Sequence, residues 1–173
     1  KPLHFAENRE RFARFLPKIT HIVVDDFPDT DDAWFLEGFQ RRGVDRGLTG
    51  CRPDDVILHS DIDEIPRASA VRSVVASMRF AEGVLGGIGT RLMRQPWAVK
   101  YLRSFFKKNH PRVVVLEQRM YYYFLNLARV NYPWWPGTRM SFFRDYTSAF
   151  DLRRWSGRIV PDAGWHFSYM GGV

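Results

Sequence analysis

Apolar residues along the chain fall into two patterns. Ile19, Ile22, Val23 and Val24 make a nearly continuous run of β-formers, stopped by Asp25-Asp26-Phe27-Pro28, and Val56-Ile57-Leu58 makes a second. Such runs are expected of strands buried on both faces, as in a parallel sheet. Elsewhere the spacing is helical. Phe12, Phe15 and Leu16 share one face of a short helix over 7–16 that Pro17 ends. Residues 29–32 supply caps and negative charge for a helix running to about Leu48, with Gly47 and Gly50 at its end. After Pro66, Val71, Val74, Val75 and Met78 recur at i, i+3, i+4, i+7, an apolar stripe on a further helix. Strand, helix, strand, helix predicts an α/β fold with a largely parallel sheet. The second half reads as strands at 113–116 and 120–125 and shorter ones at 140–143 and 165–169, with glycine, proline and tryptophan between them. No repeat, low-complexity tract or linker interrupts the chain, so one domain over 1–173 is expected.

Composition adds exclusions. With 45% apolar and 26% charged residues in 173, a disordered chain is ruled out. No run nears the length of a membrane-spanning helix, and no charged-then-apolar leader is present. The lone Cys51 excludes an internal disulfide and a zinc site built on several thiolates. The chain opens at Lys1 rather than methionine, the expectation for a processed or interior piece whose signal or anchor went with the missing ends.

The net charge of +7 is local. Between Glu82 and Glu117 stand seven basic residues and no acidic one; outside that stretch both signs number 19. Arg outnumbers Lys 21 to 5, which base composition explains as well as nucleic-acid binding does, so no nucleic-acid partner is expected. Ala98, Tyr101, Leu102 and Phe105 recur at helical spacing while Lys100, Arg103, Lys107 and Lys108 take the remaining faces. The expectation for 97–108 is a packed accessory helix, or one that lies on an anionic membrane surface.

The densest chemistry lies in Val56-Ile57-Leu58-His59-Ser60-Asp61-Ile62-Asp63-Glu64-Ile65-Pro66. Three carboxylates within four residues repel one another unless a cation neutralises them. Open α/β sheets bind ligands beyond the carboxyl ends of their strands, and hard carboxylate oxygens there suit Mg²⁺ or Mn²⁺ bridging to phosphates. The plain alternative is an exposed acidic turn. Two chemistries share the layout. A phosphatase of the haloacid-dehalogenase type would use the first Asp as nucleophile, but needs a downstream lysine and a further acidic pair; beyond Glu64 the lysines lie only in the basic stretch and no such pair follows. A nucleotide-sugar transferase uses the carboxylates to hold a metal on the donor diphosphate. Gly164-Trp165-His166-Phe167-Ser168-Tyr169 sets a histidine between aromatics, and Trp134-Trp135-Pro136-Gly137-Thr138-Arg139 sets stacked aromatics before a glycine and an arginine. Both patterns suit a sugar site and suit a plain core.

Taken together the segments resemble glycosyltransferase family 17. The matching stretches, in family order, are Lys1-Pro2-Leu3, Glu7-Asn8, Arg11-Phe12, Val23-Val24-Asp25-Asp26, Gln40-Arg41, Ser60 through Pro66, Tyr122-Tyr123-Phe124-Leu125-Asn126, Trp135-Pro136-Gly137-Thr138 and Gly164 through Tyr169. The resemblance implies a GT-A-like α/β fold, lacking here the first β-α segment that helps hold the nucleotide, with a basic insertion at about 84–112. It implies a UDP-N-acetylglucosamine donor, a glycan acceptor of the N-glycan β-mannose kind, a divalent metal and inversion at the anomeric carbon. It would place a eukaryotic member on the lumenal side of the Golgi membrane, and otherwise in the cytoplasm. A catalytically inactive sugar-binding relative is the other reading.

On that reading Asp61 and Asp63 ligate Mn²⁺ or Mg²⁺, and His166 is the expected third ligand. An inverting displacement needs a carboxylate to take the acceptor proton. Asp162 is the first candidate and Glu64 the second. Trp135, Gly137, Arg139 and Trp165 are the expected substrate contacts, with Arg139 pairing a donor phosphate.

Overall fold

The computed structural model describes residues 3–92 and 113–171, and the chain divides into two compact units, Lys1–Gly50 and Cys51–Val173. The expected helix at 97–108 and most of the basic insertion lie outside the described residues. Among the described residues no helix is long and apolar enough to cross a membrane.

In the first unit, a one-turn helix α1 (His4–Glu7) leads into a 3₁₀ segment (Arg9–Lys18) that carries Pro17 inside it rather than ending before it. Helix α2 (Ala33–Gly43) starts where the Asp32 carboxylate accepts the N–H groups of Trp34 and Phe35, at 3.0 and 3.1 Å. A 3₁₀ turn (Val44–Gly47) extends it. Residues 19–24, expected as a buried strand, form none among the described residues. Their apolar side chains pack on helical glycines instead. A Cβ on Gly43 would stand 2.4 Å from Val24 Cγ2, and one on Gly47 would touch Ile22 at 3.4 Å. Val24 and Ile22, two apart in sequence, thus meet positions four apart on the helical segment. Within this unit the buried residues are Gly38 and Gly43, and apolar side chains such as Trp34 and Phe35 stay exposed.

The second unit is built on one mixed sheet of six strands: β1 (Val56–His59), β2 (Glu64–Pro66), β3 (Val114–Tyr122), β4 (Trp134–Phe142), β5 (Arg158–Val160) and β6 (Gly164–Ser168). The order is β1-β4-β3-β6-β2. β5 pairs with β3 over Val114–Leu116 and β6 with β3 over Arg119–Tyr122, so the two follow one another along the same side of β3. The sheet is α/β and mixed, but the largely parallel arrangement is corrected. β1–β4, β3–β4 and β2–β6 are antiparallel, and β3 is parallel only to β5 and β6. β1 in particular is an antiparallel edge strand, and Leu58 is exposed. A short apolar run does not distinguish that setting from a central parallel strand, because it lacks the alternation that separates two faces.

Helix α3 (Ala68–Leu92) lays the predicted stripe on the sheet. Val74 and Met78 join Val114, Leu116, Met140, Phe142 and Ala163 in the core, with Val71 and Val75 packed against it. A short helix α4 (Ala149–Arg154), capped by the Ser148 hydroxyl, buries Ala149 and Leu152. Only Ser60-Asp61-Ile62-Asp63 connects β1 to β2, the two edges of the ordered path. Fully stretched, that link reaches ~17 Å, short of the ~19 Å across five flat strands. The link also folds back, with Glu64 N–H donating to the Asp61 carbonyl. The sheet therefore curls, and its curl brings the acidic turn over the ends of β4, β3 and β6.

Candidate functional site

The turn from β1 into β2 carries the carboxylates, and register decides what each one meets. Glu64 pairs with His166 across β2–β6, Met120 with His166 across β3–β6, and Gln118 with Trp135 across β3–β4. Three stretches far apart in sequence therefore converge.

His166 is buried, and its Nε2 lies 3.0 Å from Asp63 Oδ2. The imidazole tautomer decides which of the two atoms donates in this contact. Nδ1 is buried without a hydrogen-bond partner, and the imidazole and the Trp135 ring have centroids 5.0 Å apart with planes tilted by 45°. Phe167 N–H donates to the Asp63 carbonyl at 2.9 Å, which fixes the turn against β6.

Glu64 is more deeply enclosed, with its side chain fully buried. Oε1 accepts from the Trp135 indole N–H at 2.8 Å and from Arg153 Nη2 at 2.5 Å. Oε2 accepts from Arg153 Nη1 at 3.0 Å and from the Asp61 N–H at 3.2 Å. All four lone-pair sites of the carboxylate are thus filled. The same guanidinium reaches Asp61 Oδ2 at 3.0 Å and the Gly137 carbonyl at 3.0 Å. The cation that the acidic turn demands is Arg153.

The loop on β4 is shaped by a bulge. Val115 faces Arg139 but Glu117 faces Pro136, so Leu116 alone opposes Gly137 and Thr138. A Cβ at Gly137 would stand 2.0 Å from Gln118 Oε1, so only glycine leaves room for that buried amide. Gln118 donates to Thr138 Oγ1 at 2.9 Å, and the Thr138 hydroxyl meets that of Ser60. Arg139 is buried and turns its Nη1 back to the carbonyls of Pro136 and Gly137. Burial, and then the like charge of Arg153, push its pKa down to about 10, while Glu64 and Asp61 act in the opposite sense.

Of the residues expected from sequence, Asp63, Glu64, Trp135, Gly137 and His166 come together, and Asp61 joins them through Arg153. Arg139 adjoins the cluster, committed to its own loop. Two residues do not join. Trp165 is next to His166 on a strand and so faces the other side of the sheet, where Arg67 lies over its ring at 4.5 Å. Asp162 sits in the turn before β6, exposed and left-handed at φ 48°, paired with Arg67 at 3.1 Å. Four residues of chain separate it from His166, on the order of 10 Å of strand.

Sequence reasoning missed Arg153. A signal existed: Ala149, Leu152 and Arg153 stand at i, i+3, i+4, so the arginine shares the buried face of α4. Ser60, Gln118 and Thr138 carried no such signal, because their meeting depends on the bulge.

Among the described residues no group of three or more His, Cys, Asp or Glu side chains is arranged to hold a metal ion. Two donors are in place. Ligands at right angles on an octahedral ion with bonds of ~2.1 Å stand about 3.0 Å apart, which is the separation of Asp63 Oδ2 and His166 Nε2. The two atoms are joined by a hydrogen bond that an ion would have to replace, and Asp61 is held by Arg153.

Residues 1–82, a little under half of the chain, match the model of glycosyltransferase family 17. The matched stretch contains the acidic turn and ends before Trp135, Arg153 and His166. No curated protein and no solved structure matches the chain.

Proposed function

We propose, from the match of residues 1–82 to glycosyltransferase family 17, that the chain transfers N-acetylglucosamine from UDP-N-acetylglucosamine to a mannose hydroxyl of an N-glycan, with inversion and with a divalent metal. The family match supports the coarser part, a transferase acting between a sugar donor and a glycan acceptor. What favours a metal in this reading is the contact of Asp63 with His166 across 103 residues of sequence; the donor, the acceptor and inversion are proposed from the resemblance to the family. An acidic turn that served only as an exposed loop would have no need of a buried histidine aimed at it.

Asp63 and His166 are the residues that would hold Mn²⁺ or Mg²⁺. When bound, the ion supplies the Lewis-acid charge that stabilises a departing diphosphate. The chain's own residues prepare that place. Arg153 offsets the charge of Asp61 and Glu64, and Trp135 keeps water from His166. Glu64 has no lone pair left to receive a proton, so its work is to fix Arg153 and Trp135 rather than to act as the base. Asp162 lies in the turn before β6, paired with Arg67 at the surface; on this reading it takes the acceptor proton only when that turn moves toward the cluster, and otherwise the proton passes to solvent water.

The test is the melting temperature of the protein with Mn²⁺ and UDP. A ligand that binds only the folded state raises it, and Asp63→Asn and His166→Gln should each remove the rise. Release of UDP from UDP-N-acetylglucosamine in the presence of an oligosaccharide then reports transfer. A rise that both variants keep would overturn the assignment of the site.

A further inference from the structure

Beyond His166, β6 and β3 end together in tyrosine. Tyr122 and Tyr169 have ring centroids 6.3 Å apart with planes 14° apart, Tyr123 and Tyr169 6.2 Å and 29°, and Tyr122 and Tyr123 5.9 Å and 39°. The rings form a tiled surface rather than a buried cluster, since Tyr169 is 65% and Tyr123 39% exposed. Two of the three also hold an uncommon backbone: φ is 63° at Tyr123 and 55° at Tyr169. Bulky residues rarely take that left-handed region, and such strain persists where surrounding bonds impose it and a function uses it. The bonds are present. Tyr123 N–H donates to the Ser168 carbonyl at 3.0 Å, and Gly171 N–H to the Tyr123 carbonyl at 3.2 Å.

The surface is continuous with the site. Ser168 is two residues from His166, and Phe167 is bonded to the Asp63 backbone. It is also without charge: neither 120–127 nor 167–171 contains an acidic or basic residue. That composition disfavours a nucleoside diphosphate and suits a neutral ligand with one apolar face. A pyranose is such a ligand, since its axial C–H groups make a flat apolar face and its hydroxyls form a polar rim. Tyrosine matches both, with a ring face for the first and an O–H at the edge for the second.

We propose that Tyr122, Tyr123 and Tyr169 form the acceptor subsite, a platform on which a neutral hexose of the glycan lies by its apolar face. The proposal rests on the reading of Asp63 and His166 as the donor side of the same site. It sets the acceptor at the carboxyl ends of β3 and β6, on the uncharged flank of the acidic turn.

Saturation-transfer NMR with a soluble neutral manno-oligosaccharide tests it, alongside the melting rise with Mn²⁺ and UDP. Irradiating tyrosine ring protons should transfer saturation to sugar C–H protons. Tyr169→Asn removes a ring while keeping a residue that tolerates left-handed backbone. It should weaken oligosaccharide binding roughly three- to tenfold, the loss of one aromatic contact, and leave the UDP-dependent rise intact. Tyr169→Phe should retain most of the binding. Wild-type affinity in Tyr169→Asn, or no oligosaccharide binding by a protein that does respond to UDP, overturns the platform. So does self-association of the wild type that Tyr169→Asn abolishes, which would make the patch a protein interface. Tyrosine-dependent oligosaccharide binding without any response to Mn²⁺ and UDP would instead keep the platform and remove the donor reading.

Discussion

Arg153 holds Glu64 through both of its terminal nitrogens, 89 residues away in sequence, with the carboxylate wholly buried and the guanidinium nearly so. The pairing settles how three carboxylates coexist in the turn between β1 and β2. Glu64 turns inward to Arg153, Asp61 shares the same cation, and Asp63 is left to face His166. One arginine thereby sorts the acidic residues into two that build the frame and one that faces the histidine.

Removing that arginine should be costly. Arg153→Met keeps most of the side-chain volume but strands a buried carboxylate, a change worth about 3–5 kcal/mol. Urea denaturation should show the midpoint falling accordingly. Adding Glu64→Gln should recover part of the loss, because the neutral amide needs no cation. Equal stability of Arg153→Met and the wild type would show that the pair contributes nothing to the fold.

Gly137 makes a second test independent of charge. An added methyl would sit 2.0 Å from Gln118 Oε1 and 2.6 Å from Gln118 Cδ, and the amide is fully buried. Gly137→Ala should therefore cost about 1–3 kcal/mol, the usual penalty of overpacking. It should also break the bond from Gln118 to Thr138. Gln118→Ser in the same chain makes room, and the double variant should melt above Gly137→Ala alone.

How much of this was legible in the chain depended on how local the cause was. The stripe Val71, Val74, Val75, Met78 predicted α3 and its buried face because helical periodicity is written within a few turns. The acidic turn and His166 were visible as residue types, and their meeting was expected from resemblance. The direction of β1 was not legible, since Val56-Ile57-Leu58 is equally apolar whether its partner runs with or against it. Residues 19–24 show the same limit more sharply. A run of β-formers makes a strand only if another strand is there to pair with it, and here helical glycines take its side chains. Arg153 lay in plain sight on the inner face of α4, but nothing in its neighbourhood named Glu64 as its partner. Asp162 stands four residues before His166, but closeness along the chain is a poor guide on a strand, where four residues span on the order of 10 Å.

In the first unit, Val24 and Gly43 should behave as a matched pair. A Cβ at Gly43 would fall 2.4 Å from Val24 Cγ2, and a β-branched side chain has little freedom to turn aside. Gly43→Ala should lower the melting temperature despite alanine's better helix propensity. Val24→Ala should cancel that effect when combined with it. If Gly43→Ala instead stabilises, Val24 does not press on α2 as the contact requires.

Asp162 separates the sequence expectation from the structural one most directly. Its carboxylate is exposed and its partner Arg67 also faces solvent in part, so the ion pair contributes at most about 1 kcal/mol. Asparagine accepts the left-handed backbone at φ 48° without strain. Asp162→Asn should therefore fold normally, keep the melting rise with Mn²⁺ and UDP, and lose little turnover. Asp63→Asn, one side chain from His166, should lose the rise and the turnover together. An active protein in which Asp162→Asn lowers turnover by orders of magnitude, with donor binding intact, would make Asp162 the base and require the turn before β6 to move toward the acidic cluster during catalysis.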